Sequence, residues 1–391
     1  MAGCRASIST PSTMNCAASI AVASRNAPGW SPPCRRWRAR CATTTSPGSA
    51  AADLMRVLSE ADVESLTVIP DAIALAWEAY CLQAKGSVPA PLRGDLRRDD
   101  PKAGCLMLVG ANGPDHLAVK SNVHAYPGGL DAPRRWNSLL TLWDWRRAEP
   151  RALIAARAFN DHRTAAGFAA GANRLARPDA TTLAVFGAGK SAPMAVRYMK
   201  AVRPSLDRVM LVGRDPGRVA ALAGTVRSWS EFAGVEVASV SAQDAAAAAD
   251  IIVTVTTSEA PVFPGAAVKP GACIVLGGAN RPGAREADDA LMVRADIYLD
   301  ARAGVTEKAG DIRLALASGA LRPDQMRAEI GTCGEGPLPL SPGSDVLVFK
   351  SMGLAIQDVV LAQHLVEIAE QRGLGQIVDL AGADGGKGGH V

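Results

Sequence analysis

The sequence predicts an α/β protein built on a Rossmann-type doubly wound parallel sheet, and three observations lead there. The first is Thr182-Leu183-Ala184-Val185-Phe186-Gly187-Ala188-Gly189-Lys190-Ser191-Ala192. It reads as a strand covered on both faces, a glycine turn and a helix start. The second is helical spacing directly after that turn: Ala192, Ala195, Val196, Met199 and Val202 recur on one face, with Pro193 in the first turn, where its missing N–H is not needed. The third is alternation. Strand candidates at 182–186, 209–212, 235–240, 251–257, 272–276 and 297–299 are separated by segments long enough for crossover helices. With 391 residues and 48% hydrophobic content, the chain suits two packed domains and a tail.

From the N-terminus, residues 1–52 hold no Asp or Glu and carry Arg5, Arg25, Arg35, Arg36, Arg38 and Arg40. They are read as a disordered N-terminal extension; a transit-like segment, or translated sequence upstream of a start at Met55, would share that composition. Met55 to Leu58 is strand-like, and Ser59 with Asp62 resembles a capping box. Ile73, Ala76, Trp77 and Tyr80 form the apolar face of a helix from Pro70 to Gly86. Short apolar runs among turns over 87–150 suit a small antiparallel or mixed sheet. The spacing of Ala165, Ala169, Ala172 and Leu175 places Arg163 at a helix start. After the sheet region, Leu314 to Leu321 reads as a helix, Asp345 to Phe349 as a strand, and Leu354 to Glu370 as a long helix. Residues 381–391 read as a disordered tail.

Composition narrows the function. The net charge is +4, and no basic stripe interleaved with aromatics suggests nucleic acid. No apolar run reaches membrane-spanning length. Eight cysteines lie at irregular spacing without a CxxC pair, so neither a metal site nor a disulfide framework is indicated, and a cytoplasmic setting is expected.

The glycine turn implies a dinucleotide. Gly187 permits the tight turn, Gly189 removes the Cβ that would block a pyrophosphate, and Ala192 lets helix and strand approach. The helix N-terminus then faces the phosphates. The second strand ends in Gly213-Arg214-Asp215, so a glycine stands where NAD-binding sheets place an acid. Gly213 leaves room for a 2′-phosphate and Arg214 can grip it, with Arg218 one turn on. NADP(H) is therefore preferred, NAD(H) remaining possible through Asp215.

Three cations precede the nucleotide region: Arg93 in Pro89-Ala90-Pro91-Leu92-Arg93, Lys120 at the end of a buried-type run, and Arg163 in Arg163-Thr164-Ala165-Ala166. These join the opening Met55 to Val63, Gly187-Ala188-Gly189, Thr254-Val255-Thr256-Thr257-Ser258, Gly277-Gly278-Ala279-Asn280-Arg281-Pro282 and Val348 to Asp358. In that order the motifs resemble the ornithine cyclodeaminase/mu-crystallin family. The resemblance implies a homodimer. It implies a substrate and dimerisation half of residues 53–176 plus 331–380, and a nucleotide domain, 177–330, inserted between its two parts. It implies that Arg93 and Arg163 hold the substrate carboxylate and that Lys120 acts at the reacting nitrogen, with a lowered pKa expected from neighbouring cations and desolvation. Thr164, Gly187 to Ala192 (with Lys190 and Ser191), Arg214, Asp215, Arg218, Thr256 and Thr257 become the expected cofactor contacts.

One departure separates the branches. Where cyclodeaminases carry an aspartate after the fifth strand, this chain has Asn280, and an amide cannot take a proton. Asn280 is expected to orient substrate, and the expected activity is NAD(P)H-dependent reduction of small imino acids. The alternatives are a cyclodeaminating ammonia lyase with recycled NAD, a related NAD(P)-dependent amino acid or opine dehydrogenase, and a non-catalytic NADPH-dependent binding protein.

Overall fold

The computed structural model describes residues 54–86, 94–98, 103–112, 115–127, 135–334 and 338–380. The expectations for 1–52, for 381–391 and for Arg93 fall outside the described residues.

The chain begins with strand β1 (Leu54–Leu58) and two helices, α1 (Glu60–Leu66) and α2 (Ile69–Ala84). The Ser59 and Asp62 side chains cap α1 reciprocally: the Asp62 N–H donates to Ser59 Oγ at 3.2 Å and the Ser59 N–H to Asp62 Oδ2 at 2.8 Å. Helix α2 buries Ala72, Ile73, Ala76 and Tyr80 on one face. Strands β2 (Gly94–Arg98), β3 (Ala103–Asn112), β4 (His116–Ala125), β5 (Arg135–Asp144) and β6 (Glu149–Ala155) then form an antiparallel meander. With β15 (Gln376–Asp379) they make a seven-stranded sheet of order β15-β1-β6-β5-β4-β3-β2, mixed because β1 runs parallel to β6. Side chains alternate across it. Ala118, Lys120, Leu140, Leu142 and Ile154 are buried on the inner face, while Val123 and Leu139 stand exposed on the outer one.

Helix α3 (Ala156–Leu175) follows β6 without a loop. Arg163 does not open this helix; it is the eighth residue, in the third turn. The apolar run over 153–158 belongs half to the strand and half to the first helical turn, which hid the boundary. Burial around most of its circumference marks α3 as the central helix, packed against both α2 and the nucleotide region.

The second sheet is parallel throughout. Its strands are β7 (Thr182–Phe186), β8 (Arg208–Val212), β9 (Glu236–Ser239), β10 (Ile251–Thr254), β11 (Cys273–Leu276), β12 (Ala295–Leu299), β13 (Met326–Glu329) and β14 (Val346–Lys350). The order is β13-β12-β14-β11-β10-β7-β8-β9, so the winding direction reverses between β7 and β10. Helices α4 (Ala192–Val202), α5 (Pro216–Ser228), α6 (Ala242–Ala248), α7 (Asp289–Val293), α8 (Val305–Lys308) and α9 (Gly310–Ser318) lie along it. The strand at 346–350, expected with the substrate half, sits instead between β11 and β12. Its apolar run, almost wholly buried, needs cover on both faces, which a central parallel position supplies. The chain returns to the first sheet only through α10 (Ala355–Arg372) and β15. One continuous apolar core joins α2, α3, α4, β7 and α10, with Tyr80 edge-on to Phe349 at 5.7 Å between centroids. No single helix among the described residues is long and apolar enough to span a membrane.

Candidate active site

The phosphate loop is built as its sequence requires. Gly187 has φ +113° and its N–H donates to the Val212 carbonyl at 2.8 Å; a Cβ there would lie 2.9 Å from the Val255 carbonyl oxygen. A Cβ on Gly189 would meet nothing within 4 Å, so open space lies above the start of α4. That clearance at a helix N-terminus, beside the reversal of strand order, fits a pyrophosphate. Gly213 has a different reason from the one expected. A Cβ there would come within 2.8 Å of Val219 Cγ2 and 3.5 Å of Ala188 Cβ, so its absence lets α5 close onto the strand end. Arg214 and Arg218 are exposed beside it. Asp215 caps α5, accepting from the Gly217 and Arg218 N–H groups at 3.0 and 3.1 Å, and its other oxygen lies 3.3 Å from Arg218 Nε.

Lys120 of β4 and Arg163 of α3 meet at Asp358 of α10. Lys120, wholly buried, points from β4 to Asp358, with Nζ 2.7 Å from Oδ1, and donates to Asn160 Oδ1 at 3.2 Å. Arg163 Nη2 donates to the same Asn160 oxygen at 2.9 Å, and its Nε lies 2.9 Å from the same Asp358 oxygen. Among the described residues the cluster therefore contains a carboxylate beside Lys120 and Arg163, not cations alone. Asp358 sits in the first turn of α10, where the helix dipole favours a negative charge. Its Oδ2 is buried with no hydrogen-bond partner among the described residues, an acceptor left over inside the cluster.

A single turn of α3 ties this cluster to the nucleotide loop. Between Asn160 and Arg163, Asp161 Oδ2 lies 3.3 Å from Lys190 Nζ, and His162 bridges Glu64 Oε2 at 2.9 Å and Tyr198 Oη at 2.8 Å. Thr164, half-buried, comes next on the same helix.

The loop after β11 is organised by Glu286, which is fully buried. It accepts hydrogen bonds from Thr254 Oγ1, Thr256 Oγ1 and the N–H groups of Thr256, Gly278 and Ala279 at 2.7–3.1 Å. Asp311 accepts from the Glu286 N–H and is paired in turn with buried Lys350 at 3.0 Å. Thr256 thus has a fixed place beside Gly187, whereas Thr257 is exposed. Asn280 is exposed on this loop, and its Nδ2 donates to the Gly277 carbonyl at 3.2 Å, so its amide NH2 holds its own turn.

A model of the ornithine cyclodeaminase/mu-crystallin family matches residues 54–373. The chain belongs to this family. Members similar to it include a Delta(1)-pyrroline-2-carboxylate reductase of Bacillus cereus, 26% identical over 83% of this chain and 100% of that one. The ketimine reductase mu-crystallin of Macropus fuliginosus is 35% identical over 51% of this chain and 59% of its own length. Among solved structures, the Thermococcus litoralis Delta(1)-pyrroline-2-carboxylate reductase in complex with NADH and L-proline superposes with TM-score 0.74. It is 26% identical, over 82% of this chain and 99% of that one. The iminosuccinate reductase of Paracoccus denitrificans in complex with NAD+ gives 0.75 at 25% identity, over 83% and 99%.

Asp358, Asn160, Asp161 and Glu286 escaped the sequence reading. All four lie in or beside the motifs that carry the family resemblance, but the roles went to the cations and glycines around them. The one available signal was Asp358 in the first turn of an apolar helix, and that pattern equally describes an ordinary helix start.

Proposed function

We propose that the protein is an NAD(P)H-dependent oxidoreductase that reduces small 2-imino acids, cyclic ketimines such as pyrroline-2-carboxylate or piperideine-2-carboxylate among them. The observation that carries this is the buried Lys120–Asp358–Arg163 cluster, set one helical turn from a phosphate-binding loop. The reductases among its relatives support the same reading. A nicotinamide cofactor whose pyrophosphate is held along Gly187 to Ala192 would supply the hydride to the C=N carbon. Arg163 offers Nη groups to the substrate carboxylate, which fixes the carbon at hydride distance. Lys120 gives its proton to the imine nitrogen as the carbon is reduced, and Asp358 with Asn160 holds the ammonium in that direction. The product is the saturated amino acid.

The test is loss of NADPH and NADH absorbance with a panel of cyclic and linear imino acids, run beside ammonia release from ornithine. Consumption of reduced cofactor with a cyclic imino acid is expected. Ammonia and proline formed without net cofactor change would replace this reading with the cyclodeaminase one. Asn280 in place of an aspartate weighs against that outcome.

Exposed Arg214, with Arg218 one turn on, supports a preference for NADPH. Arg214→Ala should raise KM for NADPH about tenfold, the loss of one charged contact worth about 1.4 kcal/mol, with KM for NADH unchanged. The exposed Val123 and Leu139 on the outer face of the first sheet support a homodimer formed through that face. The thiols of Cys105, Cys273 and Cys333 suit a cytoplasmic enzyme.

A further inference from the structure

Lys190 follows Gly189 at the mouth of the phosphate loop, yet its ammonium is turned back into the protein. Nζ sits 3.4 Å above the centre of the Trp136 ring on β5 and 3.3 Å from Asp161 Oδ2 on α3. The nearby carboxylates have partners of their own: Glu60 is bound by Arg157 and the Ala158 N–H, and Glu64 by His162. We propose that Lys190 is a side-chain ligand of the cofactor pyrophosphate and that Asp161 competes with the cofactor for it. Asp161 would then be a positioning residue that restrains cofactor affinity. The proposal rests on the nucleotide-binding reading of this loop and not on the identity of the substrate.

The pair is poorly matched to its surroundings. Burial, more than anything else, pushes the Asp161 carboxyl up to about 6, with Glu64 and Glu60 adding to it, although Lys190 opposes the shift. Burial likewise lowers the Lys190 ammonium despite Asp161 and Glu60, with Arg157 in the same direction. The Lys190 side chain is 41% exposed, so the pair is solvent-screened on the lysine side and the ion pair is weakly held. A pyrophosphate in the open space above Gly189 offers Lys190 a doubly charged acceptor that is partly solvated. Above pH 6 the Asp161 carboxylate retains the lysine. Below pH 6 it is neutral and releases Lys190. Cofactor affinity should therefore rise as pH falls through about 6.

The experiment measures dissociation constants for NADH by fluorescence titration and calorimetry on the full chain without substrate, so an error in the assigned reaction leaves the result intact. NADH is the probe because the 2′-phosphate of NADPH itself titrates near pH 6. Asp161→Asn should tighten NADH about fivefold at pH 7.5 and flatten the rise in affinity that the unaltered protein shows between pH 7.5 and 5. Lys190→Met should weaken NADH about tenfold. In the Lys190→Met background, Asp161→Asn should change nothing, since the carboxylate acts through the lysine. Unchanged or weaker binding by Asp161→Asn overturns the proposal, as does a tightening that survives without Lys190. Asp161→Ser provides the same comparison if the asparagine variant does not fold.

Discussion

Lys120 brings a charge into a place with no solvent, and the structure answers it with one carboxylate and one amide. The nearest ion in the described cluster is Asp358, and Arg163 shares it. Lys120→Met should lower kcat/KM by about 100-fold or more, since the proposed proton donor is gone. It should also destabilise the fold by about 3 kcal/mol, because Asp358 keeps a buried charge with only Arg163 beside it. Steady-state kinetics with urea denaturation reads both. A variant with full activity would remove Lys120 from the chemistry. Lys120 was singled out because a cation ending an apolar run is conspicuous, and Arg163 by its place in the Arg163-Thr164-Ala165-Ala166 motif. Asp358 was not, because its partner lies 238 residues away and nothing local distinguishes it from a helix-terminal acid.

Elements were most legible where one period ran uninterrupted. The strand of residues 182–186 and the helix of residues 192–202 lie where alternation and helical spacing placed them. Boundaries failed where one apolar run served two elements, as between β6 and α3. The assignment of the strand at 346–350 to the wrong sheet shows a further limit: a run buried on both faces reveals that it is central, not to which sheet it is central. The loop after β11 was also silent, because its order comes from a single buried glutamate accepting five hydrogen bonds. Glu286→Gln would turn an amide donor toward these donors. A loss of about 2–4 kcal/mol is expected, together with weakened cofactor binding through Thr256. Denaturant titration alongside NADPH binding checks it, and unchanged stability would show that the loop is held by other means.

At the scale of the molecule, two sheets share one helix. Helix α3 touches the inner face of the seven-stranded sheet through Lys120 and the glycine-turn loop through Lys190, so the proposed substrate and cofactor groups are registered on a single rod. The outer face of that sheet, with Val123 and Leu139 exposed, is the surface proposed for a second copy. Leu139→Asp should convert a dimer to a monomer in sedimentation velocity, since a charge at the centre of an apolar contact is left desolvated. A wild-type chain that sediments as a monomer, or a variant that still pairs, would reject that assignment.

The first sheet is closed at one edge by β15, and its lysine is neutralised from α10, both from the last stretch of described chain. A polypeptide emerging from the ribosome therefore exposes the greater part of both sheets before it possesses the means to finish either the edge or the charge. Translation arrested ahead of residue 355 should yield a product with a nucleotide sheet but no competent centre. Maturation is thus tied to synthesis of residues 355–379, and the nascent form that lacks them is the one most in need of a chaperone.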